Sequence, residues 1–242
     1  MERAGADKCH PRKAEEMRVS IIMPVFNEEK TIEEIVRRVL AIPLEIELLI
    51  VDDASKDRTP AILASMGDAR IKLMRHEQNQ GKGAAIRTAI PAATGDVVVI
   101  QDADLEYDPA QIPGLIEPIS RGVADVVYGS RFLGGPHRVH LFWHFVANQM
   151  LTFFSNLLNN LNLTDMETCY KCFRRDLLQS IRLRSNRFAF EPEITAKLAR
   201  RKARFYEIPI SYFGRDYSEG KKIRWSDGVV ALIAIVRYRI VD

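Results

Sequence analysis

The chain of 242 residues is long enough for one large α/β domain to bury a complete core. Its 47% hydrophobic and 28% charged residues are typical of a folded globular protein and exclude a largely disordered chain. A net charge of +3 is too small to indicate a nucleic-acid partner, although Lys and Arg are concentrated in 171–239, where they could face phosphates, an anionic membrane or only solvent.

The cysteines and the apolar runs narrow the class of protein further. Three cysteines cannot complete a disulfide framework, and Cys169 with Cys172 lacks the second ligand pair of a zinc site, so we expect reduced thiols. Residues 1–17 contain no apolar run of a signal peptide, and no stretch reaches the roughly eighteen apolar residues of a spanning helix. We therefore expect a flexible segment at 1–17, one domain over 18–242, and a cytoplasmic location.

Four apolar runs in the first half predict parallel strands, which lie at the start of VSIIMPVFNEE, in IELLIVDD, around IKLMRH and in DVVVI. Helical patterns follow the first three runs, and Ser55 or Asp57 is a candidate cap for the second helix. Because parallel strands end at one edge of a sheet, one cleft should collect the acids that follow them: Asp52, Asp53, Asp102 and Asp104.

The second half continues with a strand in ADVVYGSRF and an aromatic-rich helix in HLFWHFVANQMLTFFSNLLNNL. A helix in EPEITAKLARR, an alternating strand in ARFYEIPISYF and an apolar helix in SDGVVALIAIVRYR follow. The order predicts an α/β fold, with a Rossmann-like, mostly parallel sheet flanked by helices and C-terminal helical and loop additions.

The segment IQDADLE places three acids at alternate positions after the fourth strand. In extended backbone Asp102 and Asp104 point to the same side, and Glu106 joins them if the backbone stays extended. Oxygen ligands of this kind suit Mg²⁺ or Mn²⁺, and a divalent cation neutralises a departing diphosphate. A solvated acidic turn before Asp108 would be the better explanation of an isolated DAD, but the preceding apolar run and the neighbouring Asp52–Asp53 pair favour a functional site.

Seven strings, in order across about residues 19–225, resemble the inverting family 2 glycosyltransferases with a GT-A fold, particularly the dolichol- and polyprenyl-phosphate sugar transferases. They are VSIIMPVFNEE, LLIVDDASKDRT, NQGKGAAI, GDVVVIQDADLEYDP, DVVYGSRF, LTDMETCYKCFR and FEPEI. The resemblance implies a nucleotide-sugar-binding part over about 18–130 and an acceptor-side part over about 131–242. It implies transfer from a donor of the GDP-mannose, UDP-glucose or UDP-N-acetylglucosamine type, with inversion, to an acceptor such as a polyprenyl or dolichyl phosphate.

The resemblance also assigns residues to the binding of the donor. Base and ribose would be held by Pro24, Val25 and Glu28, and the nucleoside would be fixed by Asp53. Lys82 in GKGAA would lie near the diphosphate or the nucleoside, where glycines permit close approach. The DxD-type motif Asp102, Ala103 and Asp104 would grip donor and metal, with Glu106 as a further metal ligand where several relatives have Gln.

On the acceptor side, the resemblance places Arg131 at the acceptor phosphate and Asp165 beside the reaction centre, where Asp104 also acts. An ordinary structural ion pair is the alternative for Arg131. Asp165 would bind metal or position the acceptor, with Glu167 and Glu191 as further candidates. A lipid phosphate is already an anionic nucleophile, whereas a hydroxyl acceptor would need a base, either Asp165 or Glu191.

Two further segments are ambiguous. Arg215, Lys221 and Lys222 resemble a basic loop that closes over donor or acceptor, with Gly214 and Gly220 as hinges, or they form an exposed basic loop. The apolar residues of 137–163 suit either a membrane interface or core packing. The eight-residue apolar run 229–236 cannot span a bilayer, so a lipid acceptor would require peripheral membrane contact or an integral membrane partner.

Three other functions stay open from the sequence. They are sugar transfer to a hydroxyl acceptor in cell-wall or polysaccharide synthesis, a sugar-phosphate nucleotidyltransferase, and a nucleotide-sugar-binding or membrane-associated module without catalysis. The nucleotidyltransferase would carry a glycine-rich loop near the first strand, where PVFNEE stands. The GxxxxGK[ST] spacing of an ATPase is missing.

Overall fold

The structure, a computed structural model, describes residues 13–134, 141–214 and 225–240, with side chains from residue 228 in the last range. The strands in these ranges are β1 (Arg18–Val25), β2 (Glu45–Asp52), β3 (Ile71–Arg75), β4 (Val97–Ile100), β5 (Val126–Ser130), β6 (Lys171–Arg174) and β7 (Phe205–Pro209). The helices are α1 (Ile32–Leu40), α2 (Thr59–Ser65), α3 (Lys82–Ala89), α4 (Ile112–Ser120), α5 (Phe142–Asn159), α6 (Arg175–Gln179), α7 (Phe190–Arg200) and α8 (Trp225–Ile240).

The strands form one sheet in the order β3-β2-β1-β4-β6-β5-β7. β1 pairs in parallel with β2 and β4, and β2 with β3. β6 runs antiparallel to both β4 and β5, and β7 is parallel to β5. The expected mostly parallel α/β sheet is confirmed, with β6 as its reversed strand.

Hydrophobic layers cover both faces of the sheet. Because side chains alternate along a strand, Ile21 and Met23 of β1 pack with α1 and α4, whereas Ile22 packs on the opposite face with α3 and α7. Both layers consist mainly of fully buried aliphatic side chains. This two-sided burial fixes the strands rigidly and leaves their carboxyl ends to carry polar side chains.

The sequence reading missed α4 and β6, for identifiable reasons. Pro113 near the start of α4 and Pro118 inside it suggest an interrupted helix, yet Ile112, Leu115 and Ile116 bury one face. β6 has only four residues and begins with a lysine, which made it unlike a central strand. Lys171 is nevertheless fully buried, because its ammonium donates to the carbonyl oxygens of Met166 and Thr168.

Two features of the structure concern the flexible segment expected at 1–17 and the membrane-spanning helix that was not expected. Residues 1–12 lie outside the described residues, and Ala14–Glu16, expected in a flexible start, form a turn of 3-10 helix followed by buried Met17. Within the described ranges, no helix combines the length and the hydropathy needed to cross a bilayer.

Candidate functional site

A pocket of about 350 Å³ lies at the carboxyl ends of β1, β2 and β4. All of the donor-side residues predicted within the described ranges line it: Pro24, Val25, Glu28, Asp53, Lys82, Asp102, Ala103, Asp104 and Glu106. Their strands are adjacent in the sheet, which explains how residues so distant in sequence meet. The binding roles assigned to them stay predictions.

The loop after β1 is locked to the loop after β2. The Asn27 amide N–H donates to Ser55 Oγ at 2.9 Å, and the Lys56 N–H donates back to Asn27 Oδ1 at 2.8 Å. The Glu28 N–H donates to Thr59 Oγ1 at 3.0 Å. These bonds fix the pocket wall that holds Glu28, and Asn27 adopts a left-handed φ of 54° to make the turn.

Asp53 organises the opposite wall. Its Oδ1 accepts from the Gln80 N–H at 2.9 Å and lies 2.7 Å from His76 Nδ1, while its Oδ2 accepts from the Gly81 N–H at 2.7 Å. His76 Nε2 lies 2.9 Å from Thr88 Oγ1. The carboxylate expected to contact the nucleoside therefore also holds the loop that begins α3.

Asp52 departs from the expectation of a shared cleft, because it is not among the described pocket-lining residues. It is buried, its Oδ1 accepts from the Ser55 N–H at 3.0 Å, and its Oδ2 lies 3.2 Å from Arg75 Nε. Asp52 therefore stabilises the turn that follows β2. Asp57 acts as the expected cap in part, since its Oδ1 accepts from the Thr59 N–H at the start of α2.

The glycines around Lys82 serve protein packing. Gly81 has a φ of +100°, and a Cβ there would lie 2.4 Å from the Asn186 carbonyl oxygen. A Cβ on Gly83 would lie 2.6 Å from the Ser185 oxygen. The α3 N-terminus is thereby pressed against the segment 185–187, and the close approach of a phosphate expected at these glycines stays a prediction.

Lys82 lines the pocket together with Asp102. Its Nζ lies 2.7 Å and 2.8 Å from the two carboxylate oxygens of Asp102 and 3.9 Å from Glu191 Oε1. Burial by itself would lower the pKa of Lys82, but the charges of Asp102 and Glu191 outweigh it and the pKa is raised well above its ordinary value. The lysine therefore stays a cation.

The three acids of IQDADLE do not continue one extended face. β4 ends at Ile100, and Leu105 has a φ of +64°, so the chain bends between Asp104 and Glu106. The Glu106 carboxylate accepts from the Tyr212 hydroxyl at 2.8 Å, and the Glu106 N–H donates to Asp104 Oδ1 at 3.2 Å. The condition set for Glu106, an extended backbone, is not met.

Within the described ranges, no three acidic, histidine or cysteine side chains converge closely enough to hold a metal ion by themselves. Asp102 and Asp104 still present oxygen donors to the same pocket. Such a donor set fits Mg²⁺ or Mn²⁺ if substrate phosphates and water complete the coordination, as is usual for magnesium. The metal-ligand roles expected of Asp102, Asp104 and Glu106 stay predictions.

Arg131 and Asp165 form a buried ion pair outside the lining of the donor pocket as described. Arg131 Nε and Nη2 donate to the two Asp165 oxygens at 2.7 Å and 2.8 Å, and the Arg131 backbone N–H adds a bond of 3.1 Å. Arg131 Cζ also lies 5.2 Å from the ring centre of Tyr212, which does line the pocket. The two residues expected on the acceptor side are brought together beside the donor site.

Behind the pocket lie further buried charges. Burial and the nearby Glu191 raise the pKa of Glu167, and burial raises the pKa of Glu191 despite the cations of Lys82 and Lys171. Burial lowers the pKa of Lys171. Carboxylates and ammonium groups in such surroundings persist because each offsets part of the cost of burying the other.

Several pocket residues were not found from the sequence. Tyr212 lies in the strand-like ISYF and bridges to Tyr107, which places its ring against the acidic loop. Arg187 and Phe188 precede α7, and Asn79 precedes α3. The motif NQGKGAA offered a signal for Asn79, but no local pattern announces the other three. Arg215, Gly220, Lys221 and Lys222 of the predicted basic loop lie outside the described residues.

An exposed apolar surface runs along α5 and α8, which pack against each other. On α5 it consists of exposed aromatic and aliphatic side chains: Phe142, Trp143, Phe145, Met150, Phe153 and Leu157. On α8 it consists of Val229, Val230, Leu232, Ile233, Val236 and Ile240. Trp143 is 76% exposed and Ile233 is 61% exposed, so core packing does not account for this stripe.

Known proteins are similar to this chain in sequence and in fold. The chain is 30% identical over 237 residues to an undecaprenyl-phosphate mannosyltransferase of Micrococcus luteus, covering 92% of this chain and 94% of that protein. It is 37% identical over 122 residues to a dolichol-phosphate mannosyltransferase of Pyrococcus furiosus, covering 49% of this chain and 34% of that one.

A glucosyl-3-phosphoglycerate synthase of Mycobacterium tuberculosis, solved with Mn²⁺, UDP and glucosyl-3-phosphoglycerate, superposes with a TM-score of 0.74. It is 18% identical and the match covers 100% of this chain and 87% of that one, which confirms the expected GT-A fold. The family described as Glycosyl transferase family 2 matches residues 20–182, more than half of the chain. This chain is therefore a glycosyltransferase and belongs to glycosyl transferase family 2.

Proposed function

We propose that the protein transfers a sugar from a nucleotide-diphospho-sugar to a polyprenyl phosphate, with inversion and with the help of Mg²⁺ or Mn²⁺. The observation that carries the proposal is the pocket in which Asp102 and Asp104 meet Glu28 and Asp53 at the carboxyl ends of adjacent strands. The similarity to an undecaprenyl-phosphate mannosyltransferase along almost the whole chain supports the choice of acceptor class. Family membership argues against the nucleotidyltransferase considered from the sequence.

The donor nucleoside would lie between Pro24, Val25 and Glu28 on one side and Asp53 on the other. Carboxylates accept hydrogen bonds from ribose hydroxyls and from base N–H groups. Because the Asp53 oxygens also accept from the Gln80 and Gly81 N–H groups, a base that binds there meets a carboxylate of fixed orientation. Fixed orientation reduces the cost of ordering the site on binding.

A divalent cation, held by Asp102 and Asp104 together with the donor diphosphate, would neutralise the leaving group when bound. Two carboxylates with phosphate and water ligands agree with the preference of Mg²⁺ for incomplete protein coordination. The synthase of similar fold was solved with Mn²⁺ and UDP together, which supports this arrangement. Lys82 and Arg187 line the same pocket and add positive charge for the diphosphate.

The acceptor phosphate would meet Arg131. Asp165 holds the guanidinium in place through two hydrogen bonds and accepts a third from the Arg131 backbone N–H, so Arg131 is oriented before the acceptor arrives. A hydroxyl acceptor would need an accessible free base, but Asp165, one candidate base, is committed to Arg131, and Glu191, the other, has a side chain only 4% exposed. This observation favours an acceptor that is already an anion.

The apolar stripe of α5 and α8 would contact the surface of the membrane that holds the acceptor. The exposed Arg237 and Arg239 lie at the C-terminal end of α8 and suit anionic headgroups. The described part of α5 carries no acidic side chain that would oppose such contact. The proposal places the enzyme in the cytoplasm, peripheral on the cytoplasmic face of that membrane.

The test is a panel of GDP-mannose, UDP-glucose and UDP-N-acetylglucosamine with Mn²⁺ or Mg²⁺, each with and without a short polyprenyl phosphate. We expect nucleoside diphosphate release that depends on both the lipid phosphate and the metal, and a glycolipid product by mass spectrometry. Product formation from a hydroxyl acceptor but from no lipid phosphate would overturn the acceptor assignment. Formation of nucleoside triphosphate with pyrophosphate would overturn the reaction class.

A further inference from the structure

Three charged side chains from separate elements meet at the donor pocket, where Lys82 and Asp102 line the pocket and Glu191 is buried next to Lys82. Lys82 is the first residue of α3, Asp102 follows β4, and Glu191 is the second residue of α7. The Lys82 ammonium spans both oxygens of Asp102 and lies 3.9 Å from Glu191 Oε1. Two carboxylates therefore face one ammonium, and at present Asp102 makes the closer contact.

Glu191 has unused capacity as an acceptor. Its side chain is 4% exposed, and its Oε2 is buried without a hydrogen-bond partner among the described residues. A buried carboxylate oxygen without a donor is costly, so such atoms call for an explanation. An ammonium group already within 4 Å of the same carboxylate is the nearest available remedy.

Asp102 is also a proposed ligand of the divalent cation. An ammonium that contacts both of its oxygens repels a cation approaching the same carboxylate and competes for the same lone pairs. Rotation of the flexible lysine side chain towards Glu191 would remove both obstacles. The backbone need not move, because Lys82 Nζ already lies 3.9 Å from Glu191 Oε1.

We propose that Glu191 is a positioning residue that receives the Lys82 ammonium when a divalent cation binds Asp102. This inference rests on the proposed function, since it requires a cation at Asp102. Lys82 then contacts the Asp102 carboxylate in the absence of the cation and moves away from it when the cation binds. Glu191 prevents the displaced ammonium from being buried without a partner. The intrinsic cation affinity of the site is set by this exchange.

The experiment titrates Mn²⁺ alone into the full chain and measures bound Mn²⁺ from the loss of the free-ion signal in electron paramagnetic resonance. Lys82→Met should bind Mn²⁺ about tenfold more tightly than the wild type, because the competing charge is gone. Glu191→Gln should bind it roughly threefold more weakly, because the displaced ammonium loses its charged acceptor. Lys82→Gln repeats the first measurement if the methionine variant does not fold.

The double variant Lys82→Met, Glu191→Gln separates two explanations. If Glu191 acts through Lys82, the double variant should bind Mn²⁺ as tightly as Lys82→Met alone. If the Glu191 substitution weakens Mn²⁺ equally in both backgrounds, Glu191 acts on the cation directly and the inference is wrong. Lys72→Met is the matched control, since this lysine pairs with Glu47 outside the pocket, and it should leave the affinity unchanged.

The remaining outcomes distinguish this inference from the proposed function. Unchanged Mn²⁺ affinity in Lys82→Met, together with metal-dependent sugar transfer by the wild type, overturns the exchange and leaves the glycosyltransferase proposal intact. Failure of both the wild type and Lys82→Met to bind Mn²⁺ alone, when the wild type does bind it together with the nucleoside diphosphate, overturns the exchange only. Failure of the wild type to bind Mn²⁺ even with the nucleoside diphosphate overturns the exchange and the proposed metal site together.

Discussion

Replacing Asp165 with asparagine should show how much of the site depends on one buried ion pair. The Asp165 side chain is fully buried, the Arg131 side chain is 12% exposed, and Asn148 Nδ2 donates a further bond of 3.3 Å to Asp165. The substitution leaves the guanidinium buried without a counter-charge and turns an amide N–H towards its donors. Removing one partner of a buried pair costs about 3–5 kcal/mol, and we expect a loss of that size in the free energy of unfolding.

The assay is urea unfolding followed by far-UV circular dichroism for Asp165→Asn, Arg131→Met and the double variant. Because the two residues contact each other, the double variant should lose on the order of 1–3 kcal/mol less than the sum of the single losses. Asp125→Asn is the matched control, because Asp125 also forms a bidentate ion pair, with Arg204. The Arg204 side chain is 51% exposed, so Asp125→Asn should lower the free energy of unfolding by only about 1 kcal/mol or less. A loss below about 1 kcal/mol for Asp165→Asn, with additive effects in the double variant, would refute the reasoning.

The remaining predictions concern stability, the donor pocket and the membrane. Burial alone would raise the pKa of Glu47, but hydrogen bonds from Lys72, Ser20 and Thr94 lower it from 4.5 to about 2. The contribution of the Glu47 carboxylate to the free energy of unfolding is therefore fully present above pH 4.5 and is lost as the pH falls towards 2. Glu47→Gln should thus lower the free energy of unfolding at pH 7 by about 3 kcal/mol and by progressively less below pH 4.5, as measured by urea unfolding at several pH values. Gly81→Ala should raise the donor KM about tenfold or more and lower the melting temperature. The reason is that residue 81 has a positive φ and that a Cβ there would lie 2.4 Å from the Asn186 carbonyl oxygen. Unchanged kinetics would contradict the packing described. Trp143→Ser should weaken co-sedimentation with anionic vesicles without changing the melting temperature, because this ring is 76% exposed, whereas equal binding by both forms would exclude α5 from the membrane contact.

The sequence predicted the first half of the fold well because its strands and helices carry strong periodic patterns. β1, β2 and β4 are nearly continuous apolar runs, as buried parallel strands are. β6 was missed because its burial depends on Lys171 satisfying two carbonyl oxygens, a tertiary arrangement that no local pattern records. α4 was missed because packing overrides two prolines.

For the candidate site, the sequence predicted which residues meet more successfully than what each one contacts. Strand order alone brings Glu28, Asp53 and Asp102 to one pocket. The bend at Leu105, which turns Glu106 towards Tyr212, depends on a partner more than a hundred positions away. The contact of Lys82 with the Asp102 carboxylate was likewise not predicted, and the expectation that Lys82 lies near the diphosphate or the nucleoside stays a prediction.

These pairings determine how the site can accept a highly charged donor. A pocket containing several free carboxylates would repel a nucleotide diphosphate, yet Lys82 neutralises Asp102 and Arg131 neutralises Asp165. A cation that enters alone must compete with Lys82 at Asp102, whereas a cation that arrives with the diphosphate brings negative charge for the displaced ammonium to contact as well. Donor and cation should for this reason bind cooperatively, each raising the affinity for the other by the same factor. Titration of Mn²⁺ with and without the nucleoside diphosphate measures that factor, and a value of one would show that Lys82 does not couple them.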